Sequence, residues 1–166
     1  MKDTVVKYGL ISGAIAAVLL LFRVPSMDGG GESLAYGYAA IVLALLLVFF
    51  GVRSYRDRVG AGKLSFGRGF AVGLLIALVS SACYVATWEV VYFRNPAIAD
   101  RCLERPIDEM KAAGAPPAAI EQKTKEVAEL KELYANPFVN IGFTLCETLP
   151  VGILMALLSA LILRRR

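Results

Sequence analysis

The stretch that decides the fold is FAVGLLIALVSSACYVATWEVVYF, residues 70–93, in which Glu89 is the only charged residue. A helix needs about 20 mostly apolar residues to cross the hydrocarbon core of a bilayer. A soluble helix of this length would place charged residues along one side, because that side must be hydrated. Residues 70–93 are apolar all round, so they predict a transmembrane helix.

Three further blocks of the same kind occur at residues 5–24, 34–52 and 138–163, and the charged residues lie almost entirely between the blocks. The hydrophobic fraction is 57%, above the roughly 45–50% of globular domains. The first block is interpreted as a retained helix, because no small-residue cleavage site of a signal peptide follows it. The sequence therefore predicts a single all-α membrane domain, residues 1–166, with four transmembrane helices.

The positions of Lys and Arg predict the orientation, since short cytoplasmic loops of membrane proteins are rich in both. One side of the predicted bundle collects ten cations and only two acids. The cations are Lys2, Lys7, Arg53, Arg56, Arg58, Lys63, Arg68, Arg164, Arg165 and Arg166. The loops on the other side are nearly balanced in charge. We therefore expect a multi-pass protein with both termini in the cytoplasm.

The loop at residues 94–137 is predicted to be an extracytoplasmic helical hairpin. Asn95-Pro96 is a favourable helix start, with an N-cap residue followed by proline. We expect a first helix that is interrupted at Pro106, a turn at residues 114–117, and a second helix over residues 117–134. The alternative is a solvated, charged connection between two spans.

Four segments resemble a known family. They are GVRSYRD (51–57), SFGRGF (65–70), CYVATWE (83–89) and ETLPVG (147–152). In this order they are similar to the marks of a bacterial membrane family named domain of unknown function 4199, and the resemblance covers nearly the whole chain. It implies four helices and a bacterial inner membrane, but no activity and no functional residues.

Two carboxyl groups lie within predicted spans, Glu89 and Glu147, and charge at mid-membrane is costly enough to suggest a function. Neither of these two spans contains a Lys or Arg that could pair with them. Asn140 and Thr144 share a helical face with Glu147, so these residues form a candidate polar site. We expect Glu147 to be buried, to face protein and to be mostly neutral. Glu89 is close enough to the end of its span to reach the membrane surface. The structural alternatives are a carboxylate that reaches the surface or bonds to the loop for Glu89, and a neutral acid that is hydrogen-bonded within the bundle for Glu147.

Small residues recur at intervals of four in three spans, which allows helices to approach closely. The glycines concerned are Gly9, Gly13, Gly69, Gly73 and Gly152. We expect them to pack helices within one subunit, and a homo-oligomer is the alternative.

The cytoplasmic loop between the second and third spans carries five cations, Arg53, Arg56, Arg58, Lys63 and Arg68. Cations at the membrane surface attract anionic lipid headgroups, at roughly 1 kcal/mol each. The simpler interpretation is that they only set the topology.

No phosphate-binding glycine loop, nucleophile elbow or metal-ligand motif is present in the sequence, and it contains no His. We expect the protein not to be an enzyme and to have no metal, no cofactor and no nucleic-acid partner.

Two functions remain. The favoured one is a structural or regulatory protein that binds membrane partners, and the alternative is a small oligomeric transporter or channel that uses Glu147 for protons or cations. A water-filled cavity at Glu147 would favour transport, and a close-packed bundle would favour binding.

Overall fold

The computed structural model describes residues 1–27 and 34–164, so the last two arginines lie outside the described residues. The described residues form six helices: α1 (Lys2–Met27), α2 (Leu34–Arg58), α3 (Phe66–Arg94), α4 (Pro96–Ala112), α5 (Pro117–Tyr134) and α6 (Pro137–Leu163). The described part of the chain contains no β-strand.

Helices α1, α2, α3 and α6 are long and apolar enough to cross a membrane. They contain the four apolar blocks of the sequence and extend beyond them into charged residues, as α2 does from Val52 to Arg58. Charged helix ends can lie in the headgroup region, where water is available to them. The chain is therefore an all-α, multi-pass membrane protein.

The four long helices form a bundle in the circular order α1, α2, α6, α3. Helix α3 contacts each of the other three, and α2 and α3 make the diagonal contact across the bundle. Fully buried branched side chains, including Val48, Val52, Val72 and Ile76, form the centre of the main apolar core.

The polarity of the bundle is reversed with respect to a soluble protein. Large apolar side chains are exposed along its outer surface, for example Phe22 at 78% and Ile162 at 69%. Among the residues whose burial the structure describes, seven polar residues are buried instead, namely Ser12, Ser80, Ser81, Asn140, Thr144, Thr148 and Ser159. Lipid provides no hydrophobic drive for helix association, so close packing and interhelical hydrogen bonds must hold the helices together.

The five glycines of the small-residue pattern all face a neighbouring helix of the same chain. A Cβ atom built on Gly13 would lie 2.5 Å from Cys83 Cβ, and one on Gly9 would lie 2.7 Å from Val79 Cβ. On the opposite side of α3, Gly69 and Gly73 approach Ala160 and Ala156, while Gly152 of α6 approaches Ala77. A Cβ atom at Gly9, Gly13 or Gly152 would force its neighbours to shift, and one at Gly69 or Gly73 would be in tight contact, so the glycines set the spacing between α1, α3 and α6.

Helices α4 and α5 follow α3 and precede α6 in the sequence, and they pack against each other. Contrary to the expectation of an interruption, α4 continues through Pro106. The helix can continue because proline removes only one backbone hydrogen-bond donor and its ring points to the exposed side of α4. The next residue, Ile107, is buried. Gly114, with φ +69°, occupies the turn between the two helices.

Lys131 of α5 links the two short helices by ion pairs. Its Nζ donates to Glu104 Oε1 at 2.6 Å and lies 3.3 Å from Asp100 Oδ1, and both acids are on α4. The hydrogen bond to Glu104 raises the pKa of Lys131 above its usual value, so the pairing holds at neutral pH.

Candidate functional site

The polar residues predicted to form a membrane site do not share one environment on α6. Asn140 and Thr144 are buried in the bundle, whereas Glu147 is exposed on its outer surface. The expectation that Glu147 is buried is therefore wrong for the single subunit, where the residue is exposed.

The cause is the oblique path of the buried stripe around α6. Asn140 and Glu147 are seven residues apart, and a straight helical wheel separates them by only about 20°. The buried residues follow steps of four, Asn140, Thr144, Thr148, Gly152, Ala156 and Ala160, and each step turns by about 40°. Rows of this kind run obliquely along a helix and make paired helices cross. At the height of Glu147, the side of α6 that faces the bundle is therefore no longer the side on which Asn140 lies. Glu147, which is on nearly the same side as Asn140, faces outward.

Glu147 lies near the middle of its helix. Helix α6 spans Pro137–Leu163, so its midpoint is Pro150, and Glu147 is three residues or about 4.5 Å from that midpoint. Phe143, Cys146 and Pro150 are exposed on the same outer surface. The carboxyl group thus lies near the middle of a helix long enough to cross a membrane, on the side of α6 that faces away from the bundle.

Asn140 makes a contact that links α6 to α3. Its Oδ1 accepts a hydrogen bond from Trp88 Nε1 at 3.0 Å. Its Nδ2 and the Oε1 atom of Glu89 are buried, and neither has a hydrogen-bond partner among the described residues. Glu89 is half-buried, one residue after Trp88 and close to the C-terminal end of α3. The structure therefore places Glu89 and Asn140 at the end of the bundle next to α4 and α5, apart from Glu147 near the middle of α6.

A second polar cluster lies at the centre of the bundle and was not predicted. Ser12 Oγ donates to the Ala44 carbonyl at 2.8 Å and lies 2.9 Å from Ser80 Oγ. A cavity of about 10 Å³ beside this pair is lined in part by Ser80, Ser81, Tyr84 and Thr148. The Oγ atom of Ser81 is buried and has no hydrogen-bond partner in the described part of the chain.

This central cavity is at the lower limit for one water molecule, which needs roughly 10–15 Å³ and several polar neighbours. The sequence signal for the cluster was weak: Ser81 continues the stripe of Gly69, Gly73 and Ala77, while Ser12 and Ser80 each lie one position before a residue of a stripe. Serine is small enough to act as a spacer in such a stripe, which conceals its role as a hydrogen-bonding residue.

Four of the five predicted lipid-binding cations form two pairs near the α2–α3 turn. Arg53 and Arg56 lie 3.9 and 2.7 Å from the carboxylate of Asp57. Lys63 and Arg68 line a cavity of about 830 Å³ that Arg164, at the end of α6, also lines. Arg58 is exposed and is not among the lining residues. Arg164 is distant in sequence from the other two, so no local pattern could have associated it with them.

Among residues 1–27 and 34–164, no group of three or more Cys, Asp or Glu residues is placed to hold a metal ion.

Comparison with known proteins gives a family match over most of the chain. The model of a family described as "Protein of unknown function (DUF4199)" matches residues 7–165. No curated protein and no solved structure gives a significant match. The matched residues include all four membrane helices, the α2–α3 turn and the α4–α5 pair. Since this is nearly the entire chain, the protein belongs to the DUF4199 family.

Proposed function

We propose that this protein is a non-catalytic, partner-binding membrane protein that associates with a second copy of itself through the outer face of α6. The observation that carries the proposal is the exposed position of Glu147 near the midpoint of that helix. A charged side chain at the centre of a bilayer costs at least roughly 2.5–3.5 kcal/mol on insertion scales. A protein surface that covers this face of α6 and keeps the carboxyl group out of lipid would remove most of that cost.

The chemistry of the α6 surface suits a second copy. A neutral carboxyl group has one donor and can also accept, so two such groups can satisfy each other. Pro150 has no N–H to offer the Cys146 carbonyl four residues earlier, which leaves an acceptor beside each carboxyl group. A two-fold contact brings the same patch of each subunit together. Glu147 of one copy would then meet Glu147 and the Cys146 carbonyl of the other.

The interior of the bundle supports this binding role better than a transport path inside one subunit. Glycine contacts bring α1 and α6 tightly against α3, and the central cavity measures about 10 Å³. Glu147 does not line that cavity. If protons or cations are carried at all, the path would have to run between subunits at Glu147.

We further propose that the α2–α3 turn and both termini face the cytoplasm of a bacterial inner membrane, as the cation distribution and the family resemblance indicate. In a cysteine-free background, a cysteine at position 110 of α4 should react with a membrane-impermeant maleimide added to intact cells. A cysteine at position 60, in the α2–α3 turn, should react only after the cells are opened. The reverse pattern would show that the orientation is inverted.

Cross-linking through Cys146 tests the proposed self-association directly. Cys146 is exposed next to Glu147 on the same helix. In a variant with Cys83→Ala and Cys102→Ser, a short thiol cross-linker applied to native membranes should yield a covalent dimer.

The matched control moves the thiol to the outer face of a different helix. It combines Cys146→Ser with Leu43→Cys, because Leu43 is exposed in the central part of α2. The control should remain monomeric. Equal cross-linking of both proteins would indicate random collision, and no dimer through Cys146 would exclude the α6 interface.

A further inference from the structure

A cavity at the basic end of the bundle has no role in the proposed self-association. It measures about 830 Å³ and lies between the α2–α3 turn, the first turn of α3 and the end of α6. Lys63, Arg68 and Arg164 contribute the cations of its lining, and Val59, Leu64 and Phe66 contribute apolar surface. A cavity with this lining fits an amphiphilic ligand that has an anionic group.

The three lining cations are available to such a ligand. Within the described residues, no acid lies at ion-pair distance from Lys63, Arg68 or Arg164, whereas Asp57 next to them is engaged by Arg53 and Arg56. Three like charges that converge on one cavity repel each other, and an anion bound between them would relieve that repulsion.

The backbone around the cavity adds donors and a fixed shape. The Gly69 N–H makes the first hydrogen bond of α3, to the Ser65 carbonyl, so the amides of residues 66–68 have no acceptor within the helix. Ser65 makes no side-chain cap, and nothing lies within 4 Å of a Cβ built on Gly67. Free amides at a helix start favour negative charge.

The turn that precedes α3 is held by its own backbone hydrogen bonds. Gly62 N–H donates to the Arg56 carbonyl, and Lys63 N–H donates to the Gly60 carbonyl. The lining of the cavity therefore has a defined geometry.

We propose that this cavity is a binding site for a phosphate group, carried either by an anionic phospholipid of the surrounding leaflet or by a soluble phosphate ester. Phosphate offers several charged oxygens to three cations and to backbone amides. A lipid source would also use the apolar lining, with its glycerol backbone against Phe66 and its acyl chains along the outer surface of the helices. This inference does not depend on the α6 interface, because no residue of that interface lines the cavity.

The test uses the full-length protein purified in a neutral detergent. Thermal unfolding is followed while phosphatidylglycerol, phosphatidylcholine with the same acyl chains, or inorganic phosphate is added, and native mass spectrometry counts the lipids that remain bound. Phosphatidylglycerol should raise the melting temperature more than phosphatidylcholine does. If a soluble phosphate ester is the natural ligand, inorganic phosphate alone should also raise it.

Two double variants separate the cavity from general surface attraction. Arg68→Gln with Arg164→Gln removes two lining cations and should weaken binding of the responding ligand about 30-fold, since each cation contributes about a fivefold factor. Arg53→Gln with Arg58→Gln removes two cations outside the lining and should weaken it less than about threefold. Equal losses in both variants would overturn the proposal in favour of diffuse attraction. A wild-type protein that responds to none of the anionic probes would also overturn it.

Discussion

Replacement of Gly13 by leucine will prevent α1 from packing against α3 and will destabilise the bundle by about 3 kcal/mol. A Cβ atom at position 13 would lie 2.5 Å from Cys83 Cβ and 2.7 Å from its Sγ. The Cβ atom of Cys83 is fixed to its own backbone, so relief requires that the two helices separate. Separation would also weaken the Ser12–Ser80 contact, which adjoins Gly13 and measures 2.9 Å.

The measurement is thermal unfolding in detergent, where we expect a fall in melting temperature of roughly 6–12 °C. Gly142→Leu is the matched control, because nothing lies within 4 Å of a Cβ built on Gly142 of α6. Leucine is a better helix former than glycine, so the control should be neutral or slightly stabilising. If both variants unfold at the temperature of the parent, the close approach of α1 and α3 does not determine stability.

The second large effect concerns Glu147→Leu, which should abolish the dimer while it stabilises the monomer in the membrane. Leucine on the outer face of α6 suits lipid, so the insertion cost of the carboxyl group, roughly 2.5–3.5 kcal/mol, disappears. The same change removes the donor and acceptor that we propose to join two subunits. The fraction of dimer that forms through Cys146 in membranes is the readout.

A second variant, Glu147→Gln, shows whether the carboxyl group acts through hydrogen bonds or through its charge. An amide donates and accepts like a neutral carboxyl group, so Gln should retain most of the dimer. A carboxylate that needs its charge for binding would instead lose the dimer in both variants. If Leu and Gln both cross-link as well as the parent, the α6 contact does not involve the carboxyl group and the proposed role of Glu147 fails. If Gln assembles normally but proton flux into liposomes is lost, transport between subunits becomes the better interpretation.

The sequence by itself determined the fold class and the helices. Blocks such as residues 70–93 are too long and too apolar to form anything but membrane helices, since backbone groups in lipid must bond within their own segment. The spacing of four between Gly69, Gly73 and Ala77 also determined that close helix contacts would be found on that side of α3. These features are local and follow from composition and helical periodicity alone.

Only the tertiary structure decided which side chains of α6 meet protein. A helical wheel assumes that the buried direction is constant, but α6 crosses α3 obliquely, and its buried stripe turns along the helix. Asn140 therefore contacts Trp88, while Glu147, on nearly the same wheel angle, is exposed on the outer surface. Likewise, Arg164 joins Lys63 and Arg68 around one cavity. Crossing angles and contacts between distant segments depend on how whole helices pack, and no pattern within a single helix encodes them.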